Sequence, residues 1–557
     1  MGFDSLEKMS SDDIKLANET AHKRYLEGIA FDSMNDGQYM QTETGNDEES
    51  HGFVAAKARS AVGSQSDSYT SQIADAEQEK HSTSDDQAES VQGFHSEAVQ
   101  ANPGKENGVD DHDKASVSSA APSGSLERIK TRFFSSKLSK HRQIYAKKFL
   151  LNCFLLGSLA IAMFSLYWGA LYNHSAHYDL IKFIAVVDDD AGTLISPEVG
   201  NMKTGLIPIL ESATAQFDIY NTSTFYEKYG NDRPMVDKVH ELVHKKNYWG
   251  SLIVSYEASN QLLASLYYAD VAEYNSTNYF EFFYETARDL SNMRASILPL
   301  LTGIETEFKE TFFYQTYLPN ALANFPNATA VKVAGAANMK WNQIDNRPFN
   351  DFTLMGPMQV GLIYCILLTF FQLALFGPVH MMLSPLLKPK HIILYRLGTS
   401  WAAYFVLSLF FCTVSAIFQI DFTPAFGKGG FVVYWMTTWL LMGAVGGANE
   451  NVLSLLLAYC PQYLGFWLIS WIILNISPSF VPLVLANRLY RYGYMTPIYN
   501  ALEIYRVIFM NTYKGEMGRN YGILVAWCVL NTALFPLVMK ILARKFMNDA
   551  KKRATQK

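Results

Sequence analysis

Cysteine, charge and catalytic signatures are all scarce in this 557-residue chain. The chain has five cysteines, and none of them lies between residues 173 and 355, which excludes a disulfide-stabilised scaffold. Charged residues make up 18% of the chain, against about 25% in an average globular protein. The sequence contains neither a phosphate-binding GxxxxGK[ST] motif nor a GxSxG nucleophile elbow. These absences predict that the chain is not an enzyme, holds no cofactor or metal, and binds no nucleic acid.

The charge that is present is divided unevenly. Residues 1–125 carry 24 Asp and Glu against 9 Lys and Arg, a net charge of −15, whereas the whole chain carries −6. This acidic, serine-rich stretch has too little apolar surface to offset the entropy of ordering, so we predict a disordered cytosolic tail without a signal peptide. Residues 126–148 then form a basic collar with eight Lys and Arg from Arg128 onward, which positions this end of the chain in the cytosol.

Long apolar runs follow the collar, and a membrane span needs about 20 such residues. Six are predicted: Phe149–Leu171, Met358–Pro378, Leu397–Gln419, Phe431–Leu457, Leu464–Val484 and Tyr521–Leu542. Basic residues in the turn before the third span and in the C-terminal tail, 543–557, favour a cytosolic location for both chain ends. The fold class predicted is therefore an α-helical polytopic membrane protein, with five of its six spans in residues 358–542. The segment 485–511 is half apolar yet charged, which favours a re-entrant or interfacial helix.

A large segment, residues 172–357, separates the first two spans and is predicted to be an extracytoplasmic α/β domain. Strands are expected at Lys182–Val187, Phe217–Tyr220 and Tyr248–Val254, with a helical tract over Phe280–Thr311. Four glycosylation sequons fall here, at Asn173, Asn221, Asn275 and Asn327. Asn475 also begins a sequon, but it lies inside the fifth predicted span and is expected to stay unmodified.

An acidic run, Asp188–Asp190, ends the first predicted strand. A phosphatase-like nucleophile site would need Asp-x-Asp-Gly-Thr, and the sequence is one residue out of that register. A calcium loop would need further ligands, which are absent. The run therefore favours a structural turn at the end of the strand.

Glu450, between Asn449 and Asn451 in an apolar span, is the sharpest single feature. A buried carboxylate is costly in a membrane, and such residues line polar paths or proton relays, so these three residues are the candidate transport path. The alternatives are an interhelical hydrogen-bond clamp, or a span that ends near Ala448 and leaves Glu450 in a cytosolic turn. Small residues at 443–448 favour close helix packing. Arg488 and Arg491 are candidate contacts for an anionic group, with headgroup anchoring as the alternative.

Four stretches carry a family resemblance: VVDDDAG (186–192), YWGSLIVSYEAS (248–259), YETARDLSNMRASILPLL (284–301) and NISPSFVPLVLANRLYRYGYMTPIYNALEIYRVIF (475–509). The chain resembles the fungal nitrosoguanidine-resistance family of multi-span membrane proteins, which is similar to the membrane subunits of type-2 ABC exporters and to the phage-infection-protein group. The resemblance implies tolerance of toxic small molecules, an export permease, and a coupling region near Arg488–Val507. No nucleotide-binding domain is present, so a separate ATPase, a proton gradient or the solute gradient would have to supply the energy.

Two functions from different classes are consistent with these features. The first is a drug- or lipid-facing permease, expected as a homodimer in contact with membrane lipids and an amphipathic or xenobiotic substrate. The second is a non-transporting regulator or scaffold, whose tail and collar recruit signalling partners. The plasma membrane is the expected location, with the vacuole or another endomembrane as the alternative.

Overall fold

A computed structural model describes residues 133–190 and 195–555, which lie within one compact unit, Arg128–Lys557. The predicted disordered tail, 1–125, lies outside the described residues, as does the collar up to Arg132. Two parts are recognisable in the described chain: an α/β domain and a group of long apolar helices that includes the first one, α1 (Ser139–Leu171).

The α/β domain is built on one five-stranded sheet. Its strands are β1 (Lys182–Val187), β2 (Gln216–Tyr220), β3 (Gly250–Val254), β4 (Phe280–Tyr284) and β5 (Asn342–Asp345). Its helices are α2 (Lys203–Ser212), α3 (Thr222–Tyr229), α4 (Met235–His244), α5 (Ala258–Tyr267), α6 (Leu298–Glu307), α7 (Leu318–Asn324) and α8 (Ala330–Ala337). Two π-helical segments, Met293–Ile297 and Phe308–Tyr317, flank α6.

The strand order is β2-β1-β3-β4-β5, and only the β3–β4 pair is antiparallel. Both faces of the sheet are covered, which is why β1 reads as the nearly unbroken apolar run KFIAVV. Phe183, Ala185 and Val187 enter the larger core with α2 and α5–α8, whereas Ile184 and Val186 enter the smaller core with α3 and α4. The predicted α/β class of this domain therefore agrees with the structure.

One element of the domain was predicted wrongly. The helical tract expected over Phe280–Thr311 begins with a strand, because Phe280–Tyr284 forms β4 and pairs with β3. Its sequence, FEFFY, is aromatic and suits a pleated, buried surface better than a helix. Helical structure in this stretch is continuous only from Met293 onward.

The C-terminal part is helical. Its helices are α9 (Gly361–Leu383), α10 (Pro389–Ile417), α11 (Thr423–Phe426), α12 (Gly430–Tyr459), α13 (Leu464–Ile476), α14 (Pro497–Met510) and α15 (Met517–Thr555). Among the described residues, five helices are long and apolar enough to cross a membrane: α1 and α10 by themselves, and α9, α12 and α15 together with the short helical turns before them. Five of the six predicted spans thus coincide with such helices.

The fifth predicted span, Leu464–Val484, is wrong as a continuous helix. The helix α13 stops at Ile476, and its 13 residues rise about 20 Å, short of the roughly 30 Å of bilayer hydrocarbon. Turns follow, in a stretch that contains Pro478 and Pro482, and prolines cannot continue a helical hydrogen-bond ladder. The segment predicted as re-entrant forms a 3₁₀ helix, Arg488–Met495, and then the almost wholly buried α14.

The basic collar is continuous with the first membrane helix. α1 begins at Ser139, so its first turns carry Lys140, Arg142, Lys147 and Lys148. Most apolar side chains of α1 are exposed in the described chain, and its C-terminal end docks on the connection after α13. There the Tyr490 hydroxyl donates to the Leu166 carbonyl oxygen at 2.7 Å.

The sequons lie on the surface of the α/β domain. Asn173, Asn275 and Asn327 are exposed, whereas Asn221 is half-buried and caps α3 by accepting a hydrogen bond from the Thr224 N–H. Asn475 is fully buried and donates to the Trp471 carbonyl oxygen.

We expect Asn173, Asn275 and Asn327 to carry N-linked glycans, because an exposed sequon outside the cytosol is accessible to the transferase. Each Asn→Gln substitution should remove one mobility step on an electrophoretic gel, and endoglycosidase treatment should collapse the remaining steps. Thr277→Ser keeps the third sequon intact and serves as the matched control for Asn275→Gln. A chain insensitive to endoglycosidase would contradict the predicted topology.

Candidate functional site

The helix α12 is the centre of the membrane part. It packs against α9, α10, α13, α14 and α15. Its buried face carries a series of polar residues that would be costly in an apolar helix unless each found a partner. The candidate site is built from the partners that these residues find on neighbouring helices.

Glu450 lies within α12 and is almost fully buried. Its Oε1 is 2.9 Å from Nη2 of Arg396, and its Oε2 accepts a hydrogen bond from the Ser400 hydroxyl at 2.5 Å. Arg396 and Ser400 are one turn apart on α10, so one face of that helix supplies both contacts. Because α12 continues to Tyr459, the interpretation that Glu450 lies in a cytosolic turn is wrong.

Arg396 was read from the sequence only as a basic residue that marks the cytosolic side, and its role as the counter-ion was missed. Its guanidinium also donates to the Ser454 hydroxyl at 3.2 Å, and it lies 5.3 Å from the centre of the Phe535 ring. Charged groups inside a membrane bundle pair with one another. An arginine directly before an apolar run is therefore a usable signal for the counter-ion of an intramembrane acid. The sequence alone does not place α10 beside α12.

The two asparagines beside Glu450 join different helices. Asn449 donates to the Thr369 hydroxyl on α9 at 3.0 Å and accepts from the Trp467 indole on α13 at 3.0 Å. Asn451 donates to the Asn531 carbonyl oxygen on α15 at 3.0 Å, and the Asn531 amide donates back to α12. The hydrogen-bond-clamp alternative thus describes both asparagines, and their assignment to a transport path stays a prediction.

A small cavity adjoins Glu450. Its volume is about 20 Å³, enough for one water molecule. Ser400 and Tyr404 from α10, and Cys528 and Asn531 from α15, line it together with Glu450. At about 20 Å³ this cavity is too small to admit an organic solute in the described part of the chain.

Close glycine contacts bring the helices together at this level. A Cβ on Gly446 would lie 2.6 Å from the Tyr404 side chain, and one on Gly447 would lie 2.8 Å from Asn531. At Gly443 it would lie 2.7 Å from Trp401. The predicted packing role of these small residues agrees with this geometry.

We therefore expect Gly446→Ala to destabilise the protein by about 1–3 kcal/mol, because overpacking forces neighbouring side chains off their preferred rotamers. Thermal unfolding of the detergent-solubilised chain measures this loss. Gly377→Ala in α9 is the matched control, since a Cβ there meets no atom within 4 Å. Equal stability of the two variants would mean that α12 and α10 are not packed as described.

Arg488 and Arg491 are both exposed in the 3₁₀ segment that follows α13. The neighbouring Tyr490 is buried against α1, so the two guanidiniums flank an anchored tyrosine. Their exposure is compatible with an anionic group or with lipid headgroups, and their role as anionic-group contacts remains a prediction.

The acidic run after β1 has a structural role. Asp189 is fully buried and accepts hydrogen bonds from the Met202 N–H and the Ser259 N–H, both at 2.8 Å, and from the Ser259 hydroxyl. It thereby joins the starts of α2 and α5 to the end of β1. Burial raises the pKa of Asp189, against the opposing effect of these hydrogen bonds. A carboxylate with both oxygens occupied in this way is not free to act as a nucleophile.

An ionic cluster joins the α/β domain to α14 and to the short turn before α15. Lys246 Nζ lies 2.5 Å from Glu503 Oε2 and 2.8 Å from Glu516 Oε2. Arg506 contacts Glu503 at 2.5 Å and Asp289 at 3.2 Å. The sequence shows that the segment 485–511 is charged, but the partners of Glu503 and Arg506 in the α/β domain lie more than 200 residues earlier and could not be identified from the sequence.

Further contacts strengthen the same junction. Arg288 donates to the Lys246 and Tyr248 carbonyl oxygens and stacks 3.7 Å above the Trp249 ring. Burial lowers the pKa of Arg288 to about 10, so its guanidinium stays charged at neutral pH. Leu485, from the connection between α13 and α14, lies in the core of the α/β domain. The domain and this connection therefore pack as one body.

An open groove of about 430 Å³ lies beside this junction. It lies where the chain leaves the domain near Asp351, and where α11 and the end of α14 approach. Asp351 and Asp421 line it, and each accepts a hydrogen bond from the N–H two residues later. Among the described residues, no three metal-binding side chains come together, here or elsewhere.

The long apolar helices, with an ion pair buried between two of them, define a multi-pass membrane protein. Residues 152–533 match the family described as "Protein of unknown function (DUF3533)", and the chain belongs to this family. It is 42% identical over 434 residues, 75% of this chain and 84% of the relative, to a Saccharomyces cerevisiae protein named "Uncharacterized endoplasmic reticulum membrane protein YJR015W". No solved structure matches the chain.

Proposed function

We propose that this chain is a permease-like membrane protein that confers tolerance of toxic small molecules by moving amphipathic compounds across its membrane. The buried Arg396–Glu450 pair is the observation that carries the proposal. Charged residues are costly inside a membrane bundle and are retained where substrates or ions pass. The resemblance to the nitrosoguanidine-resistance family supports the same class of function.

In this proposal the solute passes beside α12, near Glu450, Asn449 and Asn451. The chain crosses the membrane six times with both ends in the cytosol, and the α13 segment supplies the fifth crossing with its non-helical continuation. Arg488 and Arg491 contact anionic headgroups or an anionic part of the solute. A homodimer is a further part of the proposal, and a separate ATPase is the alternative to a proton or solute gradient as the energy source. Neither is required by the contacts around Glu450.

The proposed location is an endomembrane. The yeast relative is named as an endoplasmic reticulum membrane protein, which supports that compartment over the plasma membrane expected from the sequence. Co-localisation of the full chain with a marker of the endoplasmic reticulum tests this choice. A uniform plasma-membrane signal would favour the original expectation.

Efflux from cells tests the proposed function. Cells are loaded with a fluorescent amphipathic cation, and its loss over minutes is compared among deletion, wild-type and Glu450→Gln strains at matched protein abundance. We expect the wild type to lose the compound faster than both other strains. Identical loss in all three strains, while resistance still differs, would contradict the permease.

A non-transporting regulator is the second candidate, and the small size of the cavity beside Glu450, about 20 Å³, favours it. Its partners would be recruited by the acidic tail, residues 1–125, and by the basic collar. Deleting the tail should abolish resistance if the chain is a scaffold and should spare it if the chain is a permease. Glu450→Gln should spare resistance if the chain is a scaffold and should abolish it if the chain is a permease.

A further inference from the structure

Glu450 carries an inference about how the proposed permease is gated and energised. We propose that Glu450 is a proton-binding site, and that its protonation releases Arg396 and opens the bundle toward the predicted cytosolic side. The ligand is a proton delivered by water, which makes the proton gradient the energy source. This inference rests on the proposed function, but its central test does not require transport.

The first support is the unfinished bonding of the pair. Glu450 Oε1 lies 2.9 Å from Arg396 Nη2 and has no other partner within the described chain, and Arg396 Nε has none there. Oε1 is buried, and its residue lines the water-sized cavity. A buried acceptor of this kind calls for a partner, and a water in that cavity would supply one together with a route for the proton.

The second support is that the two charges differ in their access to water. Arg396 lies seven residues from the start of α10, and its long side chain can extend toward the helix end, as membrane arginines do. It already contacts Ser454, one turn beyond Glu450 along α12 in the direction of the predicted cytosol. Glu450 is short and lies about 14 Å of helix from the end of α12 at Tyr459. Arginine can therefore leave the site, whereas glutamate can only change its protonation.

The third support is the isolation of the pair from other charges. Among the described residues, the titratable groups that face Glu450 are Arg396 and Tyr404 on α10 and Cys528 on α15, and His380 on α9 faces Arg396. No second carboxylate appears among these neighbours to share the proton. When one proton from cytosolic water binds the Glu450 carboxylate, the neutral acid no longer attracts Arg396, and the guanidinium moves to the aqueous end with its charge.

Access of a water-soluble reagent to Cys528 tests this gate directly, because Cys528 lines the cavity. In the full chain the other four cysteines, Cys153, Cys365, Cys412 and Cys460, are replaced by alanine. The rate of modification by a charged, membrane-impermeant methanethiosulfonate is measured in vesicles with the cytosolic face outward. Glu450→Gln imitates the protonated acid, and Ser400→Ala, which removes a hydrogen bond but keeps the ion pair, is the control.

At pH 7.5 we expect Cys528 to react about tenfold faster in the Glu450→Gln variant than in the chain that keeps Glu450. The reason is that the open conformer of the latter is a minor one, about 10% populated or less. Ser400→Ala should react at the slow rate. As the pH falls to 5.5, the unsubstituted chain should approach the rate of Glu450→Gln. Taking the ratio of the two rates at each pH cancels the slower reaction of the thiol itself in acid.

A ratio that does not change with pH, or equal rates at pH 7.5, would overturn the proton gate. If the chain with four alanines does not fold, the same rates are read by mass spectrometry on Cys528 in the native chain. A pH-dependent ratio without any solute flux would refute the permease and leave the gate standing. Solute flux together with a rate ratio that does not change with pH would refute the gate and leave the permease standing.

Discussion

Replacing Arg396 with methionine is expected to destabilise the protein by about 3–5 kcal/mol, whereas replacing Arg396 with methionine and Glu450 with leucine together should restore most of that loss. The single change leaves Glu450 buried without its counter-ion, and its side chain is too short to carry the charge to the aqueous end of the helix. The double change leaves an apolar contact of similar volume, which often matches or exceeds a buried ion pair in stability. Thermal unfolding in detergent, read as a double-mutant cycle, measures both.

The cycle should also be asymmetric. Glu450→Leu alone should cost less than Arg396→Met alone, because Arg396 can extend past Ser454 toward the helix end. Equal costs for the two single variants would contradict the difference in access to water. A double variant as unstable as Arg396→Met would mean that the pair does not act as a unit.

The second large effect is expected at the junction between the α/β domain and α14. Glu503→Leu should cost about 3–5 kcal/mol, because it leaves Arg506 and Lys246 without the buried carboxylate they share. Glu516→Gln is the matched control, since Glu516 contacts the same Lys246 from a more exposed position and should cost about 0–1 kcal/mol.

Limited proteolysis together with thermal unfolding checks this prediction. Loss of the Glu503 contacts should loosen the α/β domain from the membrane helices and expose new cleavage sites near residues 477–496. Unchanged cleavage in Glu503→Leu, or an equal loss of stability in Glu516→Gln, would show that the cluster does not hold the two parts together.

The sequence predicted those elements whose signals are local. The boundaries of β1 follow directly from its apolar run, and the helix over 430–459 follows from the span predicted at Phe431–Leu457. The β4 strand was missed because an aromatic run such as FEFFY has no clear period of its own, and its identity depends on pairing with β3. The fifth span was misjudged because apolar length outweighed the two prolines that break it.

The candidate site was predicted only in part, for a related reason. Glu450 stands out because a lone acid in an apolar helix is unusual in any context. Its partner Arg396 lies 54 residues earlier and becomes visible only when α10 and α12 are packed side by side. The junction partners Lys246 and Glu503 are separated by 257 residues, and no periodic pattern in the sequence links such distant charges.

Solute flux through the purified protein tests the central claim most directly. The full chain is reconstituted into liposomes loaded with a fluorescent amphipathic cation, beside protein-free liposomes and the chain that carries both Arg396→Met and Glu450→Leu. We expect the wild-type chain to release the cation faster than both controls, because the double variant lacks both Glu450 and its partner Arg396, on which the proposed solute path depends. Equal release from all three preparations, with folded protein confirmed in each, would contradict the permease.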